Sequence, residues 1–398
     1  MFFRSPRNAL IIFGNPGVGK TTLTFALYSL LSKELVDYSL TGFITREVRK
    51  SGERVGFDLI YLKDPALTLP LAKKEGDIGF HPKKRPKVGK YFLFIENLEK
   101  FVEIIQRDLV EATDKVLVFI DEIGKMESFS EKFSNFLEHL WNEKIPLVAT
   151  LGKGDQPLLK DWANKWGALY CELTLENRDF LLPRLEVEFY RKGNLIVFEG
   201  IDGTGKTTIF KLLQEERFFK DCLFSFEPTS GTYGQKLRTL LSQKTIAKKP
   251  LLENSSIKKE LLELFILDRK EHVENFILPN LKKGKNIILD RYYLSTLAYQ
   301  GEGEDFLALL KRNETIAPLP DWVIYFELSP EEAIKRVYSR GEDKSIFEKE
   351  DELRRISYNY TQILPLFNCI TIPAWKSVDS LFLEVKNFLK EILFKEGI

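Results

Sequence analysis

Residues 9–21 read ALIIFGNPGVGKT, and residues 195–207 read LIVFEGIDGTGKT. Each stretch is a short apolar run, a glycine-rich turn of the form GxxxxGK[ST], and the opening of a segment with helical spacing. Gly14, Asn15, Pro16, Gly17, Val18, Gly19, Lys20, Thr21 and Thr22 form the first turn and its exit. Gly200, Ile201, Asp202, Gly203, Thr204, Gly205, Lys206, Thr207 and Thr208 form the second. This is the P-loop pattern in its strand, turn and helix context. The glycines let successive backbone N–H groups converge on phosphate oxygens, and the following helix adds its positive end. Lys20 and Lys206 are placed to bridge the β- and γ-phosphates, and Thr21 and Thr207 to ligate magnesium. Two matches, each behind a strand and near the start of a half, are not a chance occurrence. The pattern specifies nucleoside triphosphate binding and leaves the reaction open.

The restart of the pattern also divides the chain. Nothing between Leu181 and Gly193 is rich in Gly, Ser or Pro, so a new first strand follows without a flexible linker. The boundary falls near Lys192, giving domains at 1–190 and 191–398. Both halves alternate apolar strand-like runs with amphipathic stretches, which predicts an α/β protein of two P-loop NTPase domains. Each is expected to be a mostly parallel sheet flanked by helices. In the first, strand-like alternation on both sides of Lys50-Ser51-Gly52 predicts an inserted β-hairpin.

Composition narrows the classes. The 398 residues are 44% hydrophobic and 29% charged, with 59 Lys and Arg against 58 Asp and Glu. That is ordinary globular material, and so balanced a charge gives no support for nucleic-acid or membrane binding. Cys171, Cys222 and Cys369 stand far apart with no CxxC spacing, which speaks against a disulfide framework or a zinc site. No apolar run approaches a membrane span, and the N-terminal apolar stretch runs straight into the glycine turn. A soluble, cytoplasmic protein is expected.

Four clusters follow the second P-loop. SFEPTSGTYGQKLR (225–238) offers Glu227 and Arg238 as a metal-linked carboxylate and a phosphate clamp. LLELFILDRKEH (261–272) sets Phe265 and Arg269 four apart on one helix face, so a ring and a guanidinium can address one ligand. NIILDRYYLSTLAYQG (286–301) is a buried strand ending in Asp290 and Arg291. RVYSRGEDKSIFEKEDELRR (336–355) is a charged, glycine-containing stretch that can close as a lid. These strings, with FEGIDGTGKTT and PDWVIYFELSPEEAIKR, closely resemble thymidylate kinase, in order, over essentially residues 194–398.

The resemblance implies the reaction ATP + dTMP → ADP + dTDP, with magnesium. It implies that Phe265 stacks on thymine and Arg269 bonds its carbonyl edge. Arg238 and Arg291 clamp the dTMP phosphate, with Glu227 and Asp290 near the metal. Ser295, Thr296 and Gln300 approach base or sugar, and Tyr299 disfavours a ribose 2′-hydroxyl. A homodimer through this half is likewise implied. Two departures stand out: Phe226 replaces the arginine of a common REPGG, and the lid carries one extra residue and no second arginine. Arg340 is then the catalytic lid residue, with Lys344 and Arg336 behind it. Another nucleoside monophosphate remains an alternative acceptor.

In the first half, VLVFIDEIGKME (116–127) is an apolar run followed by Asp-Glu. There Asp121 orients the magnesium shell and Glu122 polarises an attacking water. GNPGVGKTTL, GFITREVR, GERVGFD, IDEIGKME, the VATL strand and the NRD triplet resemble the thermophile-type nucleoside-triphosphatase family over about residues 8–184. This implies Mg-dependent hydrolysis of NTPs to NDP and phosphate by Lys20, Thr21, Asp121 and Glu122. Arg46 and Lys125 match charged family positions. A nucleotide-dependent switch or partner-binding module is the alternative reading. NKWG (164–167) lacks the aspartate of a guanine-reading NKxD, so guanine specificity by that device is not expected.

Overall fold

The computed structural model describes residues 9–77, 85–112, 115–152, 168–189, 191–246, 255–301, 305–339 and 346–394. Arg340, Lys344 and the NKWG string lie outside these. The chain separates into two compact units, one ending before and one beginning at Arg191.

The first unit runs β1 (Ala9–Gly14), α1 (Lys20–Glu34), β2 (Ser39–Lys50), β3 (Glu53–Tyr61), β4 (Thr68–Lys74), β5 (Lys87–Val88), β6 (Tyr91–Leu93), α2 (Ile95–Glu111), β7 (Val116–Ile123), α3 (Glu131–Asn142), β8 (Leu147–Gly152), β9 (Leu169–Glu172) and α4 (Arg178–Phe189). Its nine strands order as β5-β6-β4-β3-β2-β7-β8-β1-β9. From β2 to β9 the ladder is parallel; β3, β4, β6 and β5 add to it antiparallel. The expected hairpin is therefore present but is the root of a four-strand extension. Its turn is Ser51-Gly52, both at positive φ (48° and 83°), the geometry a two-residue loop needs to match strand twist. Ile11, Val118, Ile120, Phe43 and Ala149 face Phe101, Phe133 and Phe136 of α2 and α3 in one core.

The second unit runs β10 (Leu195–Glu199), α5 (Lys206–Glu215), β11 (Leu223–Phe226), α6 (Thr232–Ile246), α7 (Ser255–His272), α8 (Leu278–Lys282), β12 (Ile287–Asp290), α9 (Tyr293–Gln300), α10 (Asp305–Ile316), β13 (Trp322–Glu327), α11 (Pro330–Tyr338), α12 (Ile346–Ile363), β14 (Cys369–Pro373) and α13 (Val378–Phe394). Its sheet is wholly parallel, ordered β11-β12-β10-β13-β14. Every residue of β10 is buried, as a parallel strand covered on both faces must be. The two sheets differ where it matters. In the second unit the strand ending in Asp290 lies beside the P-loop strand; in the first, β8 stands between β1 and β7.

Candidate active sites

Both P-loops end in a glycine that caps the next helix. Gly19 has φ 109° and Gly205 φ 85°, left-handed values that favour glycine. No side chain caps α1 or α5, and neither has an acidic residue in its first turn. Their leading N–H groups and positive dipole ends are left for an anionic ligand. Asn15, Pro16 and Gly17 are exposed at the loop mouth, whereas Lys20 and Lys206 are buried.

Lys206 Nζ donates to the carbonyls of Gly200 and Ile201, each at 2.8 Å, and to Thr204 Oγ1 at 3.1 Å. Burial, then the Arg291 guanidinium, pull its pKa well below the ordinary lysine value. A phosphate is the counter-charge that would reverse this. Thr207 Oγ1 donates to Asp290 Oδ2 at 2.7 Å, while the buried Asp290 Oδ1 has no hydrogen-bond partner. A hydroxyl beside a carboxylate with a spare oxygen suits Mg2+, which binds through one or two side chains plus phosphate oxygens and water. No group of three or more His, Cys, Asp or Glu could hold a metal among the described residues.

Arg291 follows Asp290 with φ 69°, a strained value for a side chain this large. Its backbone N–H donates to Phe198 O at 3.0 Å. Nη1 reaches Gly200 O (3.2 Å) and Ser295 Oγ (2.9 Å); Nη2 reaches Asp202 Oδ1 (2.5 Å) and Tyr299 OH (3.3 Å). Burial raises the Asp202 pKa, but Arg291 and Lys206 outweigh it, so the carboxyl stays ionised below its ordinary range. Sequence reading thus found Arg291, Ser295 and Tyr299 together. It missed Glu199, whose carboxylate is buried between them. Glu199 accepts from Tyr292 N (2.9 Å), Ser295 N (3.2 Å), Ser295 Oγ (2.6 Å) and Tyr360 OH (2.8 Å). The signal was there: an acid ending the otherwise apolar LIVFE.

A second network lies behind α9. Arg269, 1% exposed, donates from Nε and Nη2 to Glu227 Oε2 (2.9 and 2.7 Å), from Nη1 to Asn313 Oδ1 (2.5 Å) and from Nη2 to Thr296 Oγ1 (3.0 Å). Glu227 Oε1 meets His272 Nδ1 at 3.1 Å. Burial would raise the Glu227 pKa, yet Arg269 and His272 bring it below the ordinary value. The Glu227 side chain is accordingly spent on Arg269 and His272, and its hydrogen bonds and ion pairs do not include Thr207 or Asp290. Phe265 is half-buried on the same helix, and Gln300 Oε1 is buried without a partner one turn beyond Thr296. Arg238 is exposed, its guanidinium 5.5 Å over the Phe226 ring and donating to Pro228 O. It shares no contact with the Arg291 cluster. Arg336 donates to Ala374 O at 2.8 Å.

In the first unit Lys20 Nζ lies 3.2 Å from Gly14 O and 3.8 Å from Glu122 Oε2. Asp121, ending a buried run of β7, takes Thr150 Oγ1 on Oδ1 at 2.5 Å. Thr45 donates through Oγ1 to Asp121 O at 2.5 Å, and its own carbonyl meets Thr21 Oγ1 at 3.5 Å. Burial raises the Asp121 pKa, against the Thr150 and Thr21 hydroxyls, the Thr45 N–H, which donates to Oδ2 at 3.4 Å, and the Lys20 charge. A divalent cation beside Asp121 and Thr21 would offset that burial. Burial also raises Glu122, opposed by Lys20. A Cβ on Gly152 would sit 3.0 Å from Glu122 Oε1, so the glycine keeps that side of the carboxylate open. Arg46 and Lys125 are both exposed. Thr45, Thr150 and the buried Glu127 were not singled out from sequence; the available sign was a hydroxyl following an apolar run, as in GFIT and LVAT.

Both units thus have the P-loop nucleotide-binding fold, built on parallel strands flanked by helices. The family model of Thymidylate kinase matches residues 198–384, and that of NTPase matches residues 9–185. Over 212 residues the chain is 39% identical to the thymidylate kinase of Desulfotalea psychrophila, covering 50% of this chain and 96% of the relative. It is 38% identical over 207 residues to a probable thymidylate kinase of Pyrococcus abyssi, covering 51% and 98%. Its first half is 41% identical over 180 residues to nucleoside-triphosphatase THEP1 of Methanocaldococcus jannaschii, covering 44% and 94%. The chain belongs to both families: an NTPase in its first half is joined to a thymidylate kinase in its second. No helix among the described residues is long and apolar enough to cross a membrane.

Proposed function

We propose that residues 191–398 transfer the γ-phosphoryl of ATP to dTMP, giving dTDP and ADP, and that residues 1–190 hydrolyse NTPs to NDP and phosphate. The observation that carries this division is the state of the carboxylates around each P-loop. In the second unit Asp202 is paired with Arg291, Glu199 is saturated by four donors and Glu227 is bound to Arg269. None of these three is free to activate water, while Arg291, which reaches Gly200 O of the P-loop and Tyr299, is the cation for an acceptor phosphate. In the first unit Glu122 lies near the P-loop lysine with open space at Gly152. That is the place for an attacking water.

Phosphoryl transfer asks the protein for alignment and charge neutralisation rather than covalent help. Lys206 and the α5 N–H groups would hold the donor phosphates. Arg291, relieved of Asp202 or sharing it, would hold the acceptor phosphate in line. Thr207 and Asp290 in one half, and Thr21 and Asp121 in the other, would hold Mg2+, which when bound would supply charge compensation for the phosphates. In the first half Glu122 takes the proton of the water it orients. A second copy joined through the kinase half completes the proposal, and a light-scattering mass checks it.

A coupled ADP-release assay over dTMP, dUMP, UMP, CMP, AMP and GMP tests the kinase assignment. dTMP should be preferred, and equal rates across the panel would sink it. Phosphate release from NTPs without acceptor should fall at least about 100-fold in Glu122→Gln, because removing the base costs two or more orders of magnitude.

A further inference from the structure

Successive side chains of a strand point to opposite faces of its sheet, so two adjacent carboxylates should not serve one site. Asp121 and Glu122 nevertheless both stand at the first P-loop. Asp121 takes Thr150 Oγ1, Glu122 Oε2 lies 3.8 Å from Lys20 Nζ, and the Lys20 charge acts on both. The ladder shows how. Ile120 of β7 pairs with Ala149 of β8, and Ile123 pairs with Leu151, so Asp121 and Glu122 together oppose Thr150 alone. This is a bulge, a device that re-aims a side chain but leaves one residue without its ladder bonds. Something beyond the ladder must fix its exit.

We infer that Glu127 is a positioning residue of the hydrolytic site, clamping the turn after β7 so that Glu122 keeps its aim at the P-loop lysine. Glu127 Oε2 accepts from Gly124 N at 2.9 Å, and the turn closes with Ser128 N donating to Gly124 O at 3.2 Å. Gly124 is the spacer between the two acids. A Cβ there would lie 3.1 Å from Glu127 Oε2 and 3.7 Å from Glu122 Oε1. With Gly152 on its other side, Glu122 Oε1 rests between two glycines, one of them held by Glu127. Glu127 is 4% exposed and no cation pairs with it among the described residues, so its role is geometric rather than one of charge. A misplacement of about 1 Å in a catalytic group costs on the order of 100-fold in rate. The inference rests on the reading of Glu122 as general base and deepens it.

The intact chain carrying Glu127→Leu, which removes the acceptor, tests the clamp beside Glu127→Gln, which keeps one. E127L should lower kcat for phosphate release from NTPs at least tenfold, with KM for NTP and dTMP phosphorylation within twofold of wild type. E127Q should stay within threefold of wild-type kcat. In the Glu122→Gln background, adding E127L should change the residual rate less than twofold, because the clamp acts through Glu122. Wild-type kcat in E127L overturns the inference, as does an E127Q as impaired as E127L. A full tenfold loss in the double variant also overturns it, since that is what a merely structural role gives. If E127L yields no folded protein, Glu127→Asp, one methylene shorter, decides by the same kcat and KM, and wild-type kcat there overturns the clamp. Unchanged phosphate release in E122Q alone overturns the general-base reading, and the clamp with it.

Discussion

At the scale of single residues, the most consequential side chain given no role from the sequence is Glu127. It is buried behind the Asp121-Glu122 pair, its Oε2 accepting from Gly124 N at 2.9 Å. Burial first, with the nearby Glu122 and Asp121 charges adding, pushes its pKa up to about 8 against backbone donors that oppose it. A carboxyl raised from 4.5 in this way stabilises the fold fully below pH 4.5. That contribution is lost as pH rises through 8, because the folded state alone holds the proton in between. Glu127→Gln keeps an acceptor for Gly124 without the titration. The variant should therefore gain stability over wild type as pH rises from 5 to 8, by about 1.4 kcal/mol per unit at most. It should match wild type near pH 4. Urea melts at the two ends of that range check this, and a pH-independent difference would contradict it.

At the scale of elements, α3 illustrates what local sequence decides. Ser130 accepts from Phe133 N at 3.0 Å and donates to Glu99 Oε1 at 3.0 Å, capping the helix that carries Phe133 and Phe136 into the core. Ser130→Ala should cost about 1 kcal/mol. The transition of the first unit should then fall by about 2–4 °C, with dTMP phosphorylation unchanged. Features of this kind were legible in the sequence: both P-loops, the Ser51-Gly52 turn, and the Asp-Glu and Asp-Arg strand ends each lie within a dozen residues. What was not legible is what long-range pairing creates. Glu199 and Tyr360 meet across 161 positions, and Arg269 draws together Glu227, Thr296 and Asn313 from separate elements. The same holds for β8 standing between β1 and β7, which brings Thr150 to Asp121. Glu227 shows the cost of reading locally. Its place after a strand suggested a metal, while its hydrogen-bond partners are Arg269 and His272 from a helix 42 to 45 residues on.

At the scale of the whole molecule, two P-loops on one chain make each half a control for the other. Lys20→Ala should abolish NTP hydrolysis by the first half and leave dTMP phosphorylation within about twofold, and Lys206→Ala should do the reverse, as expected for sites with no shared partners. Parallel assays on the two purified variants check it; loss of both activities from one substitution would mean the sites are not separable. The first unit's sheet has a further consequence beyond catalysis. Among the described residues it ends on one side in β5, two residues long, with Lys87 held 4.9 Å over the Phe92 ring and Lys90 5.6 Å over the Tyr91 ring. An incoming strand would find almost no ladder there and two cations to desolvate. Strand-upon-strand growth of the sheet is thus disfavoured at that edge.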